Sequence, residues 1–236
     1  MSQNIPDIPT SSPPVVLVHG WGGSFDATYA PYGWREAITE LGRKLVRVDL
    51  PGHGPVPASH DPSAYADLAG ALVDRLPSGQ IDAVGFSLGG KLLIEVALRH
   101  PGKFRHLIIG GVGDNIYTPE RGGEAVADAL EYGVTDSTPK SIAALVEYSQ
   151  ASRSDALALA AVLRRPPNPL ILADRLAGLE QTTTIINGDE DTIALPDAGL
   201  LAALKRGKGI RLPGINHTDL PAAGVFQSLV LQLLQS

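Results

Sequence analysis

The stretch Val84-Gly85-Phe86-Ser87-Leu88-Gly89-Gly90 constrains this chain more than any other. An apolar run, Ile81 to Phe86, leads into it, and a run of helical character, Lys91 to His100, leads away. Gly85 to Gly89 thus fits G-x-S-x-G between a strand and a helix, the context that gives the pattern structural meaning. The reason is steric. The serine of such a bend is held in a strained backbone conformation that lifts its side chain clear of the sheet. The residues two before and two after come close to their neighbours, and glycine at 85 and 89 removes the side chains that would collide. Ser87 then stands at the start of a helix, where free backbone N–H groups favour developing negative charge. A Gly-rich loop with an incidental serine has the same five letters; the flanking strand and helix separate the two readings.

The rest of the chain supplies a frame for this bend. Its 236 residues suit one large domain, or a core with an insertion, and are ample for a buried core. With 44% apolar and 19% charged residues it is not a disordered chain. A net charge of −6 without blocks of like charge argues against a nucleic-acid partner. The absence of cysteine excludes disulfides, thiolate metal sites and a cysteine nucleophile. Residues 1–14 are polar and Pro-rich and carry no secretion-signal pattern. No apolar run is long enough to cross a bilayer. A cytoplasmic location and no membrane partner are therefore expected.

Read in order, Val15 to Val18 is a strand apolar at every position, as one buried on both faces should be. His19-Gly20-Trp21-Gly22-Gly23-Ser24 follows as a Gly-rich turn, then a helix over Trp34 to Leu41 that stops at Gly42. Leu45 to Asp49 is the second strand, and a helix over Ala64 to Leu76 is expected, capped by Asp61 or Ser63. Ile81 to Phe86 and Phe104 to Gly111 are the third and fourth strands. Residues 113–181 break the rhythm. They hold no convincing strand and several helical stretches, the clearest being Leu157 to Leu163 before Pro166-Pro167. The sheet resumes at Thr182 to Asn187, followed by a helix over Pro196 to Leu204 with proline in its first turn, and a short strand at Gly209 to Leu212. A final helix, about Pro221 to Leu234, is expected to bury Val225, Phe226, Leu229, Val230 and Leu233 on one face. Alternating strands and helices imply an α/β fold: a mostly parallel sheet of about six strands covered on both faces. Residues 1–112 and 182–236 form its core, and 113–181 read as a helical cap insertion.

In such sheets ligand sites form beyond the carboxyl ends of the strands. His19, Asp49, Ser87, Asp191 and His217 all follow strands directly. A serine hydroxyl is a poor nucleophile until a base takes its proton, and an imidazole base works best when a carboxylate fixes its tautomer. The order Ser…Asp…His is the one expected of this bend. His217, just past the last strand, is the expected base. His19 and His53 sit in Gly-rich loops that they are expected to shape by hydrogen bonds, and His60, His100 and His106 lie away from the productive edge. Asp191 is favoured as the carboxylate over Asp189 and Glu190 because it lies further from the strand end, and Asp114, after the fourth strand, is a rival. An oxyanion needs donors, and the backbone N–H groups of Leu88 and Trp21 are placed to supply them, with both residues also lining a substrate pocket.

These residues resemble the α/β-hydrolase superfamily. His19-Gly20-Trp21-Gly22-Gly23 is similar to its HG oxyanion loop, and Asp49-Leu50-Pro51-Gly52-His53-Gly54 resembles its D-x-x-G-x-G turn. Gly188-Asp189-Glu190-Asp191 is similar to its G-x-x-D acid loop, and His217 holds the place of its final histidine. The resemblance implies a Ser87–Asp191–His217 triad. It departs in two respects: too few residues precede Val15 for the usual leading hairpin, so six strands rather than eight are expected, and the insertion at 113–181, placed like the family's cap domain, is modest in size. With that triad, a serine hydrolase of a small carboxylic ester or thioester is expected, with no metal or organic cofactor. The apolar insertion favours an uncharged acyl group. Two alternatives share the scaffold: C–C bond or lactone cleavage with the same triad, and a non-catalytic small-molecule binding protein.

Overall fold

The computed structural model describes residues 12–118, 122–166 and 171–236. One parallel sheet of six strands runs in the order β2-β1-β3-β4-β5-β6. The strands are β1 (Val15–Val18), β2 (Leu45–Val48), β3 (Ile81–Phe86), β4 (Phe104–Gly110), β5 (Thr182–Gly188) and β6 (Gly207–Leu212). Side chains alternate across the sheet with the period of two that a strand imposes. Val16, Val18, Ala83, Ile109 and Ile185 join one core, packed with α3 (Leu68–Val73), α4 (Leu88–Arg99), α8 (Ala173–Leu176) and α9 (Ala198–Ala203). Val15, Leu17, Val84, Phe86, Ile108 and Ile186 join the other, under α1 (Phe25–Thr28), α2 (Trp34–Glu40) and α10 (Gly224–Leu234). Both faces are covered, which is why the strands read as unbroken apolar runs.

The strand order reverses at β1. Strand β2 lies on one side of it and β3 on the other, so the loops that leave β1 and β3 diverge and open a crevice at their carboxyl ends. That switch point carries the HG loop and the Ser87 bend.

Between β4 and β5 the described residues form α5 (Gly123–Tyr132), α6 (Lys140–Gln150), α7 (Ala156–Leu163) and α8, with no strand among them. Val126, Ala129 and Val146 make a small core of their own there, against which Trp21 packs. Asp155 caps α7 by accepting from the Leu157 and Ala158 N–H groups. The proline stop after α7 falls partly on Pro167, outside the described residues.

Three expected helices start elsewhere. The helix predicted over Ala64 to Leu76 is split: Asp61 caps a short 3₁₀ turn, Pro62–Tyr65, and Asp67 caps α3 by accepting from Gly70 N–H. Helix α9 begins at Ala198, beyond Pro196, because its first N–H groups are satisfied by the Asp114 carboxylate. Helix α10 begins at Gly224 after a 3₁₀ turn over Leu220–Ala222. Its buried stripe is Phe226, Val230 and Leu234 at i, i+4 and i+8, which leaves Val225 exposed rather than in the core.

Candidate active site

Ser87 stands at the tip of the turn between β3 and α4 with φ +50° and ψ −117°. A non-glycine residue with that φ is strained, and such strain persists only where the surroundings enforce it. Ser87 N–H donates to Gly110 O at 2.9 Å, and Lys91 N–H returns to Ser87 O at 3.0 Å. The two glycines of the bend are required by contact. A Cβ on Gly85 would sit 2.7 Å from Gly90 Cα, and one on Gly89 would sit 2.4 Å from His19 O. Neither neighbour is a flexible side-chain end, so the bend cannot form with larger residues there.

The structure brings Ser87, His217 and Asp191 together. His217 Nδ1–H donates to Asp191 Oδ2 at 2.8 Å. That bond fixes the tautomer, leaving the Nε2 lone pair to accept from Ser87 Oγ–H at 3.0 Å. His217 is nearly buried and lies against the Phe86 ring, centroids 5.0 Å apart. Asp191 is fully buried, and its other oxygen accepts from Ile193 N–H at 2.9 Å and Ala194 N–H at 2.8 Å. Burial pushes its carboxyl up, but the His217 ring and the two backbone N–H groups outweigh this and hold it below the usual carboxylate range.

The rival residues are engaged elsewhere. Asp189 is exposed and accepts from Gly214 N–H at 2.7 Å across a turn, and Glu190 is exposed. Asp114 accepts from Gly199 and Leu200 N–H at the start of α9. His19 is buried: its Nδ1–H donates to Gly20 O at 2.8 Å and its Nε2 accepts from Leu50 N–H at 3.1 Å. His53 lies 5.2 Å from the His19 ring and donates to Pro51 O, so both shape the loops after β1 and β2. Burial lowers the pKa of both rings, that of His53 to about 3. His60 pairs with Asp155 at the surface, His106 meets Ser236 O, and His100 is exposed.

Leu88 opens α4, so its N–H has no acceptor within the helix. Trp21 sits in the turn after β1, and its indole Nε1–H donates to Leu159 O of α7 at 3.2 Å. Both residues line a cavity of about 420 Å³ beside Ser87 and His217. Val126, Ile142, Leu145, Leu163 and Ile193 make most of its wall apolar, and Lys91, Asn115, Tyr148 and Thr218 add polar groups. Sequence reasoning did not single out the α6 contribution. The signal was there: Ile142, Leu145 and Tyr148 recur every three residues, one face of a helix.

Fold and site together bring a serine, an imidazole and a carboxylate into line at the carboxyl edge of a parallel sheet. A model of the "Alpha/beta hydrolase family" matches residues 15–227, and the chain belongs to that family. A 2-hydroxymuconate semialdehyde hydrolase of Pseudomonas sp. (strain CF600) is 32% identical over 104 residues, 42% of this chain and 36% of that one. A pimeloyl-[acyl-carrier protein] methyl ester esterase of Aromatoleum aromaticum is 33% identical over 129 residues, 53% of this chain and 46% of that one. The matches thus span less than half the length of these curated relatives. Among solved structures, NosK from Streptomyces actuosus superimposes with a TM-score of 0.69 at 25% identity, covering 95% of this chain and 98% of that one. Among the described residues no helix is long and apolar enough to cross a membrane.

Proposed function

We propose that this chain is a serine hydrolase that cleaves a small carboxylic ester or thioester through an acyl-enzyme on Ser87. The observation that carries the reading is the continuous hydrogen-bonded line Ser87 Oγ–His217 Nε2, His217 Nδ1–Asp191 Oδ2, at 3.0 and 2.8 Å. Ser87 Oγ attacks the carbonyl carbon while His217 Nε2 takes its proton, and Asp191 stabilises the imidazolium that results. The Leu88 and Trp21 N–H groups hold the oxyanion; one such donor contributes ~3–4 kcal/mol to the transition state. His217 returns the proton to the leaving group, and water, activated the same way, releases the acid. Residues 113–181 act as a cap whose apolar face holds an uncharged acyl group, and the substrate is a free small molecule.

C–C bond cleavage by the same three residues is the second reading, favoured by the likeness to a semialdehyde hydrolase. Labelling with a fluorophosphonate, followed by an ester, thioester and diketone panel, decides. Labelling lost in Ser87→Ala supports the hydrolase reading, and the preferred substrate then separates ester from C–C cleavage. A chain that resists the probe is a binding protein of hydrolase shape instead.

A further inference from the structure

The turn after β1 that carries the Trp21 N–H is held at two points. At its near end the buried His19 ring donates from Nδ1–H to Gly20 O at 2.8 Å. The turn is closed by Gly23 N–H donating to Gly20 O at 3.2 Å, and Gly22 takes φ +75°. Glycine at 20, 22 and 23 leaves this backbone wide freedom to rotate. It also lets the turn lie close to the nucleophile: a Cβ on Gly20 would sit 3.1 Å from Ser87 Cβ. From Gly20 to Gly23 only Trp21 carries a side chain, so that side chain fixes the tip. Trp21 lines the substrate cavity, yet its indole Nε1–H is directed at the backbone of α7, where Leu159 O accepts it at 3.2 Å.

Helix α7 is a firm anchor for that bond. Its Ala161 and Val162 belong to the larger core, with β1, α3 and α4. Ser154 Oγ, just before it, accepts from Gly54 N–H at 2.8 Å, and its cap Asp155 pairs with His60 at 3.0 Å. Both of those partners lie in the stretch after β2. Val126 and Ala129 of α5 and Val146 of α6 make a separate cluster instead. We propose that α7 positions the oxyanion hole. Leu159 is a positioning residue: its carbonyl, through the Trp21 indole, holds the Trp21 backbone N–H where the oxyanion develops. This rests on the serine hydrolase reading above. The 113–181 insertion then does two things, with α5 and α6 walling the acyl cavity and α7 tuning the chemistry beneath it. A donor of this kind acts on charge that exists only in the transition state, so loosening it lowers kcat and leaves ground-state binding in place. Misplacing a catalytic group by ~1 Å is enough to cost on the order of 10²-fold in rate.

The test removes the indole N–H and nothing else. Trp21 is replaced by β-(3-benzothienyl)alanine, which keeps the two fused rings and puts sulfur in place of Nε1–H; Trp21→Phe is the genetically simple companion. Hydrolysis of p-nitrophenyl butyrate is followed as kcat and KM, and a trifluoromethyl ketone, whose adduct with Ser87 carries the oxyanion, is titrated as an inhibitor. In both variants kcat should fall about tenfold with KM within a factor of two, and the ketone should bind about tenfold more weakly. Unchanged kcat and ketone affinity in the benzothienyl protein overturn the proposal, even if Trp21→Phe is impaired, because the ring then acts by its volume alone. A rise in KM at constant kcat overturns it too, since the side chain would then only line the cavity. If fluorophosphonate labels Ser87 in the wild-type protein while the benzothienyl protein turns over normally, the positioning role alone falls. If Ser87 is not labelled, the hydrolase reading falls and takes the positioning role with it.

Discussion

Two aspartates, Asp82 and Asp191, are both fully buried, at opposite edges of the sheet. Asp82 lies near the amino end of β3. Its carboxylate accepts from Arg105 Nε at 2.9 Å, Arg105 Nη2 at 2.6 Å, Arg43 Nη2 and the His106 N–H at 3.1 Å. Arg43 in turn donates to Leu234 O at 2.8 Å, tying α10 to the sheet. Asp191, beyond β5, meets two backbone N–H groups and one imidazole. Both carboxyls lie below the usual range even though burial alone would raise them. The difference is in the partner. A guanidinium is always charged, so Asp82 faces permanent cations and serves the fold. An imidazole can be neutral or charged, so in the mechanism proposed above Asp191 would stabilise the ring as it takes the Ser87 proton.

The sharpest way to break this contrast is substitution at each end. Ser87→Ala should remove turnover, leaving at most a residual rate, with stability nearly unchanged, since alanine keeps the Cβ and with it the strained φ of +50°. Asp191→Asn should lower kcat by roughly 10⁴-fold while the protein stays folded, since the amide offers the His217 ring the wrong tautomer. Asp82→Asn should do the reverse. Arg43, buried to 8% exposure, loses its charged partner, and the fold should lose about 3–5 kcal/mol by urea denaturation. Its kcat per folded molecule should be unaltered. Should Asp82→Asn instead impair kcat without affecting stability, the division of labour is wrong.

Acid sharpens the comparison further. A carboxyl whose folded pKa is depressed stabilises the fold above its unfolded value, ~4, and that stability drains as pH falls through the folded value. Both aspartates follow this sign. His19 and His53 are buried neutral with lowered pKa values, so unfolding lets them take protons below ~6.5. Their loss begins two units higher in pH and continues for His53 to about 3. Urea midpoints measured from pH 7 down to about 2 should therefore decline first through the histidines, and His53→Gln should flatten that early part. Asp82→Asn should flatten only the part below ~4.

Why some of this was legible in the sequence and some was not depends on how local each cause is. The Ser87 bend needs glycine at two fixed positions, Gly85 against nearby Gly90 and Gly89 against the distant end of β1, so its pattern survives as letters whatever the partners' separation. The parallel sheet was legible because strands buried on both faces must be apolar at every position. The Asp82 cluster was not: Arg43, Asp82, Arg105 and the carbonyl of Leu234 meet only when the sheet and α10 are assembled. Helix starts erred for the same reason, since α9 takes its first partners from another loop.

Asp114 is the smallest of the tests and the most direct probe of that borrowed helix start. By position alone it competes with Asp191, for both lie past strands at the carboxyl edge. Its oxygens instead accept from Leu200 N–H at 2.7 Å and Gly199 N–H at 3.2 Å. Helix α9 has only six residues, and Asp197 beside it makes no capping bond, because its carboxylate meets Asn187 and Arg211. Asp114 is therefore the cap for those N–H groups, supplied from 85 residues away. A cap of this kind stabilises by ~0.5–2 kcal/mol, and a negative charge at a helix start is favoured by its dipole. Asp114→Ala should cost about that much by urea denaturation and leave kcat within a factor of two. A larger loss of kcat than that of Asp191→Asn would make Asp114 the partner of His217 during turnover, and the two buried aspartates would no longer be the pair to compare.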